Sequence, residues 1–312
     1  MRRLTETKLV LVVRSTRLAD LKAKFATKSQ ARFYVNSLGA DFGDYEREDA
    51  SYEQAIAEAK QTLSELGRVQ IVQRSFLPNF VFGPDDVVVV LGQDGLVANT
   101  LKYLSGQFLV GVNPDPKRWD GKLLPFRVGD LGKVMPEVMR GNRKTREVTM
   151  AEAKLNTGLS LCAVNDLFIG LKSHGSARYR ITVAGKTENH SSSGVIVSTG
   201  LGSTGWFKSL MTGAGGVAKA SGQTHEITSR DTGFPWDSNF LYFTVREPFP
   251  SNNTGTSLIF GKVSVEQPLV LESQMGENGI IFSDGIEQDF LDFNSGSKAT
   301  ISLSEKKGLV VV

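Results

Sequence analysis

The chain has 312 residues and a formal net charge of +3, from 36 Lys and Arg against 33 Asp and Glu. That length fits about two domains, and 40% apolar with 22% charged residues is ordinary globular composition. The charge balance implies no nucleic-acid or membrane partner, the single cysteine excludes an intrachain disulfide and a cysteine zinc site, and no run approaches the about 18 apolar residues that span a bilayer. Basic residues interleaved with aromatics, the mark of single-strand binding, are not found. Cys162 lies in the apolar run Leu159–Val164 and reads as a small core residue. His174, His190 and His225 lack metal-ligand spacing and read as surface or loop residues, so no metal ligand is assigned. The opening MRRLTETKLVLVVR has too short an apolar run for a signal peptide, and the expectation is a soluble cytoplasmic protein.

In chain order, Lys8–Val13 reads as a buried strand and Thr16–Leu38 as one helix capped by Thr16. Asp41–Asp49 reads as an acidic loop. Ser51–Leu66 has helical spacing through Ala55, Ile56, Ala59, Leu63 and Leu66, and Gly67 ends it. Val69–Val72 and Val87–Leu91 read as strands; the second is a continuous β-branched run, the pattern of a strand buried on both faces. A helix is expected over Leu96–Leu104, a strand over Phe108–Val112 and a helix over Leu131–Met139. Alternating strands and helices predict a doubly wound, parallel α/β domain over residues 1–140.

From about Arg143 the pattern changes to short strands between Gly, Asn and Ser clusters, which predicts a β-rich second domain over 141–312. Strands are expected at Thr145–Leu155, Leu159–Leu171, Arg178–Ala184, Val195–Ser198, Phe240–Val245, Ser257–Val265, Leu269–Glu272, Gly279–Phe282, Lys298–Leu303 and Gly308–Val312. The last of these could return to the first domain. One short helix is expected at Trp206–Met211, with a loop over Thr212–Asn239.

Four stretches could carry chemistry. Gly92-Gln93-Asp94-Gly95 ends the Val87–Leu91 strand and opens a helix, so free N–H groups and the positive end of the helix dipole meet there. Such a spot suits phosphate, and Asp94 could act on a hydroxyl; a solvated Asp in a plain turn is the alternative. Asn165-Asp166 interrupts an apolar strand, and burying either unpaired costs a few kcal/mol. Ligand hydroxyls or an adenine edge would partner them, as would a strand break with backbone partners. Ser198-Thr199-Gly200-Leu201-Gly202-Ser203-Thr204-Gly205-Trp206 is a glycine-hydroxyl loop before a helix, a second place for an anion or a ribose, or else a flexible turn. Asp284-Gly285 is foremost a hairpin turn. There is no GxxxxGK[ST] loop and no GxGxxG after the first strand.

Together and in this order, the four motifs resemble the NAD kinase family, whose pattern is a GGDG turn, an Asn-Glu/Asp pair, an STxxGSTA loop and a late Asp-Gly. The resemblance covers about residues 85–290. Gly111-Val112-Asn113-Pro114-Asp115-Pro116, Ser192-Ser193-Gly194 and Arg246-Glu247-Pro248 look more like the mitochondrial-type branch. It implies phosphorylation of the adenosine 2′-hydroxyl of NAD by ATP with Mg2+ in a crevice between two domains, and a homodimer or homotetramer. Asp94 would be the base, with Gly92, Gly95 and Asn113 near the nucleotides. Asn165 and Asp166 would hold the dinucleotide, and Ser193, Gly202, Ser203, Thr204, Trp206 and Ser209 would line its pocket. Gln93 replaces the family's second glycine and Leu96 its usual Thr or Asn. These departures motivate two further readings: a related kinase acting on a sugar, lipid or other nucleoside, and an NAD-binding sensor without turnover.

Overall fold

In the computed structural model, which describes residues 4–222 and 233–312, the chain forms two compact units, Met1–Arg146 with Leu309–Val312, and Glu147–Gly308. The first contains β1 (Lys8–Val13), α1 (Arg17–Phe25), α2 (Lys28–Ser37), α3 (Phe42–Leu66), β2 (Arg68–Gln73), β3 (Val87–Leu91), α4 (Asp94–Leu101), β4 (Phe108–Asn113), β5 (Phe126–Arg127) and α5 (Leu131–Met139). Its strands are parallel in the order β2-β1-β3-β4-β5. Val88 to Leu91 are wholly buried, which is why β3 reads as an unbroken apolar run. On one face, Tyr52, Ala55, Ala59 and Leu63 of α3 and Leu131, Val134, Met135 and Val138 of α5 share a core with Leu9, Leu11, Val89, Leu91 and Val110. Each Leu, Val or Met side chain among these, fully buried, contributes about 1.5–3 kcal/mol. The α4 helix packs against β3 and β4.

Two expectations in this unit are corrected. Residues 16–38 form two helices, because Ala26 takes a left-handed conformation (φ 61°) and the Thr27 side chain caps α2 by accepting the Gln30 N–H. Thr16 caps α1 as expected. The acidic stretch 41–49 is not a loop but the cap and first turns of α3: Asp41 accepts the Gly43 N–H at 2.8 Å. Carboxylates at a helix N-terminus are favoured by the dipole, so acidity here marks a helix start.

The second unit contains β6 (Thr145–Leu155), β7 (Ser160–Ala163), β8 (Asp166–Leu171), β9 (Ala177–Val183), β10 (Lys186–Ser192), β11 (Val195–Ser198), α6 (Trp206–Ala220), β12 (Leu241–Val245), β13 (Phe260–Val263), β14 (Leu269–Ser273), β15 (Gly279–Ser283), β16 (Ile286–Asp292) and most of β17 (Lys298–Val311). One antiparallel sheet runs β13-β12-β11-β8-β15-β16 and a second runs β10-β9-β14-β17. Their inner faces build one core, where Leu167, Ile169, Val197, Phe243 and Ile281 meet Tyr179, Ile181, Leu269, Leu271 and Ile301. By alternation, Asp166, Phe168, Ile196 and Phe282 take the other face of the six-stranded sheet. The end of β17 leaves this unit: Leu309 and Val310 pair with Phe108 and Leu109 of β4.

Here too the expected elements shift. The strand over 159–171 is broken at Val164-Asn165, and the two strands expected from 298 onward are one, Lys298–Val311. The helix opened by Trp206 runs to Ala220, so residues 212–220 are helical; 223–232 of the expected loop, and His225, lie outside the described residues. The unexpected strands β10 and β16 end the sheet orders above. Their sequences, KTENHSS and IEQDFLD, carry the charge by which edge strands avoid further pairing. His190 is not a surface residue: it is 1% exposed in β10, with Nε2 2.7 Å from Glu188 Oε2. Among the described residues no helix is long and apolar enough to cross a membrane.

Candidate functional site

In the first unit the turn at the end of β3 is fixed from below. The Tyr52 hydroxyl on α3 donates to the Leu91 carbonyl at 2.6 Å and accepts the Arg14 N–H at 3.0 Å, which ties the ends of β1 and β3 together. Burial pushes the Tyr52 phenol up to about 12, so it stays a donor. The Gly92 N–H donates to the Val112 carbonyl. Gln93 is extended (φ −116°, ψ 164°) and precedes the helix as its cap. Any residue adopts that conformation, so glutamine in place of glycine introduces no backbone strain. Leu96 is 4% exposed and turns back over Gly92, 2.8 Å from where a Cβ would stand there. Both departures from the GGDG pattern are thus absorbed by the local fold.

Asp94 opens α4, half-buried, with its carboxylate held by two backbone groups: Leu123 N–H donates to Oδ1 at 2.8 Å and Lys122 N–H to Oδ2 at 3.1 Å. Gly95 is exposed beside it. The Asn113 amide is engaged within the following loop, donating to the Trp119 carbonyl at 2.9 Å and accepting the Asp115 N–H at 3.0 Å. The first unit therefore brings Gly92, Asp94, Gly95 and Asn113 to the carboxyl ends of β3 and β4, where ligands bind in open α/β sheets.

In the second unit the break at Val164-Asn165 has a cause 119 residues away. The Asp284 carboxylate accepts the Asn165 N–H at 2.6 Å and the Val164 N–H at 3.1 Å. Asp284-Gly285 is the hairpin turn expected between β15 and β16, with φ of 54° and 71°, and its side chain is also a clamp on the chain before β8. From the other side, the Thr199 hydroxyl donates to the Val164 carbonyl at 2.5 Å and accepts the Gly202 N–H at 3.1 Å. Gly202 has a packing reason, since a Cβ there would collide with the Asn165 carbonyl. Ser203 is buried and internally engaged, donating to the Gly200 carbonyl at 2.7 Å and accepting the Phe234 N–H.

These clamps leave two polar side chains available. Among the described residues no donor reaches the Asp166 carboxylate and no group pairs with the Asn165 amide. Asp166 is 7% exposed and lies opposite Ser198 in the β8–β11 register. Burial first, and the Asp284 charge second, push its carboxyl up to about 7. Next to it on the same face, Phe168 stacks on Trp206 (5.9 Å, 12°), and the Arg246 guanidinium lies 5.5 Å above the Trp206 ring. Ser193 is exposed at the other end of β11, its N–H donating to the Arg246 carbonyl. Thr204 and Ser209 are exposed on the loop and on α6. Thr199 and Arg246 lie in stretches that the sequence singles out, and Phe168 follows Asn165-Asp166 on the same strand, but none of the three has a role legible from sequence, because these roles depend on strands distant in the chain.

The raised Asp166 carboxyl makes a testable prediction. Its folded value lies above its unfolded one, so between about pH 4 and about 7 the folded state keeps a proton that the unfolded chain has released. Stability is fully present below this window and falls as the pH rises through it, on the order of a few kcal/mol. Urea midpoints at pH 5 and pH 8 should differ in the wild type and converge in Asp166→Asn; equal slopes in the two proteins would remove this role.

No protein-family model matches the chain. An NAD kinase of Paraburkholderia phytofirmans is 27% identical over 166 residues, covering 49% of this chain and 54% of the relative. The chain thus spans about half the length of this curated relative. The yeast NADH kinase, solved in complex with NADH, has a TM-score of 0.59 at 14% identity and covers 99% of this chain and 84% of its own. The fold is the NAD kinase fold. An NAD kinase from Archaeoglobus fulgidus, solved with ATP, has a TM-score of 0.57 at 17% identity, covering 98% of this chain and 94% of its own. Both structures match a chain that here pairs a mixed α/β sheet with a β-rich sheet.

Proposed function

We propose that this chain is an ATP-dependent NAD kinase, transferring the γ-phosphoryl group of ATP to the adenosine 2′-hydroxyl of NAD to give NADP and ADP. The observation that carries the reading is the placement of Asp94: a carboxylate at the end of a buried parallel strand and the start of a helix, in a fold whose solved examples hold NADH and ATP. Asp94 accepts the proton of the acceptor hydroxyl and orients it, while the first N–H groups of α4 favour the donor's phosphates. The Asn165 and Asp166 side chains, which have no hydrogen-bond donor or acceptor of the protein paired with them among the described residues, bind the dinucleotide through ribose and adenine. Trp206, stacked on Phe168, offers an aromatic wall.

Among the described residues no group of three or more His, Cys, Asp or Glu could hold a metal, and magnesium enters this reading as part of the donor, MgATP. Self-association as a homodimer or homotetramer belongs to the same proposal and is read by light scattering.

The test is NADP formation by the purified protein with MgATP, followed by a coupled dehydrogenase. Product above the protein-free background is expected; none above background overturns the reading. NAD bound without turnover would indicate a sensor. Stabilisation by a sugar or lipid head group but not by NAD would indicate a related kinase.

A further inference from the structure

Among the described residues no side chain holds the Asp94 carboxylate. One donor on each oxygen, the Leu123 and Lys122 N–H groups, fixes it, and both come from the same irregular stretch. A carboxylate accepts about four hydrogen bonds, so two remain for an incoming hydroxyl, in directions set by the first two. The aim of Asp94 is therefore only as good as the position of the 122–123 backbone.

That backbone is fixed by three contacts inside the same unit. The Asn113 amide bridges the loop, from the Asp115 N–H at 3.0 Å to the Trp119 carbonyl at 2.9 Å. The Arg118 guanidinium donates twice to Asp44 of α3, at 2.7 and 3.1 Å, and holds the Asp44 carboxyl well below the usual carboxylate range. The Leu123-Leu124 backbone lies directly on Gly111 of β4, where any Cβ would collide with the Leu123 carbonyl. A glycine among the buried residues of a strand marks this kind of close backbone approach.

We infer that residues 113–124 form a clamp that aims the Asp94 carboxylate, and that Asn113 is a positioning residue acting through Asp94 rather than a ligand of the nucleotide. The inference rests on the kinase reading for its kinetic effect and on the geometry alone for the clamp. A displacement of about 1 Å at a reacting group costs roughly 100-fold in rate.

The experiment has two arms. Amide hydrogen exchange at Lys122 and Leu123 is compared in the wild type, Asp94→Ala and Asn113→Ala. Protection in the wild type, and exchange at least about ten-fold faster in both variants, is expected for local opening. In the second arm, Asn113→Ala should lower kcat by about 10- to 100-fold with KM for NAD within about two-fold, and change kcat by less than about two-fold when added to Asp94→Asn. Gly111→Ala, which displaces the same backbone from below, should reproduce both effects, and it keeps the test open should Asn113→Ala not fold. Equal exchange in wild type and Asp94→Ala overturns the clamp. A raised KM at constant kcat in Asn113→Ala overturns the positioning role and places that amide on the nucleotide. If the wild type forms no NADP, the kinase reading fails, while the exchange arm still decides the clamp.

Discussion

Asp94→Asn is expected to lower the rate of NADP formation by about 10^2 to 10^4, the usual contribution of a general base. The amide keeps the size of the side chain and one acceptor oxygen. What is lost is the capacity to take a proton, together with the acceptor for one of the two backbone N–H groups of Lys122 and Leu123. The expected signature is a fall in kcat with little change in KM for NAD, because the carboxylate acts on the hydroxyl in the transition state and not on the bulk of the dinucleotide. Steady-state kinetics on the two proteins, with thermal melts to verify folding, check it. A variant with wild-type kcat would remove Asp94 from the chemistry.

The second large effect is expected at Asp284. Asp284→Ala leaves the Val164 and Asn165 N–H groups without their acceptor next to a buried strand. It also puts Ala at a φ of 54°. Two unsatisfied donors, each costing about 1–3 kcal/mol, predict a loss of roughly 2–6 kcal/mol. For a unit of this size that is a fall in melting temperature of roughly 5–20 °C. Asp284→Asn keeps one acceptor and tolerates the left-handed backbone, so it should lose less than half as much. It should also draw the Asp166 carboxyl back down, since the Asp284 charge is the second cause of its elevation. Urea and thermal denaturation of the three proteins decide this; an alanine variant within about 0.5 kcal/mol of wild type, the range of ordinary surface substitutions, would show that the clamp holds nothing.

Those two residues differ in how readily sequence reasoning finds them. Asp94 is visible locally, because a buried β-branched run, a glycine turn and a helix start lie next to one another in the chain. The parallel core strands are visible for the same reason, and so is the oddity of Asn165-Asp166 inside an apolar strand. Asp284 is visible only as a turn residue. Its clamp is a hydrogen bond to a residue 119 positions earlier, and no local period encodes such a partner. His190 is hidden for a different reason: its partner Glu188 lies two residues off on the same strand face, but the strand itself is polar and gives no apolar alternation. Gly111 carried a signal that could have been used, a glycine amid Leu109, Val110 and Val112. The acidic start of α3 is ambiguous in sequence, because the charge that suits a loop also suits a helix cap and the favourable end of the dipole.

The crossing of β17 between units has a consequence for how the protein is made. Val311 is wholly buried in the core that α3 and α5 cover, and Leu309 and Val310 complete the pairing of β4. These residues follow the entire second unit in the chain. On the ribosome, the first unit therefore emerges early but cannot finish its sheet until the residues that follow the second unit have emerged. During that interval the Phe108–Leu109 edge of β4, beyond its pairing with β5, is open, a template for mispairing that a chaperone or rapid closure of the second unit would have to guard.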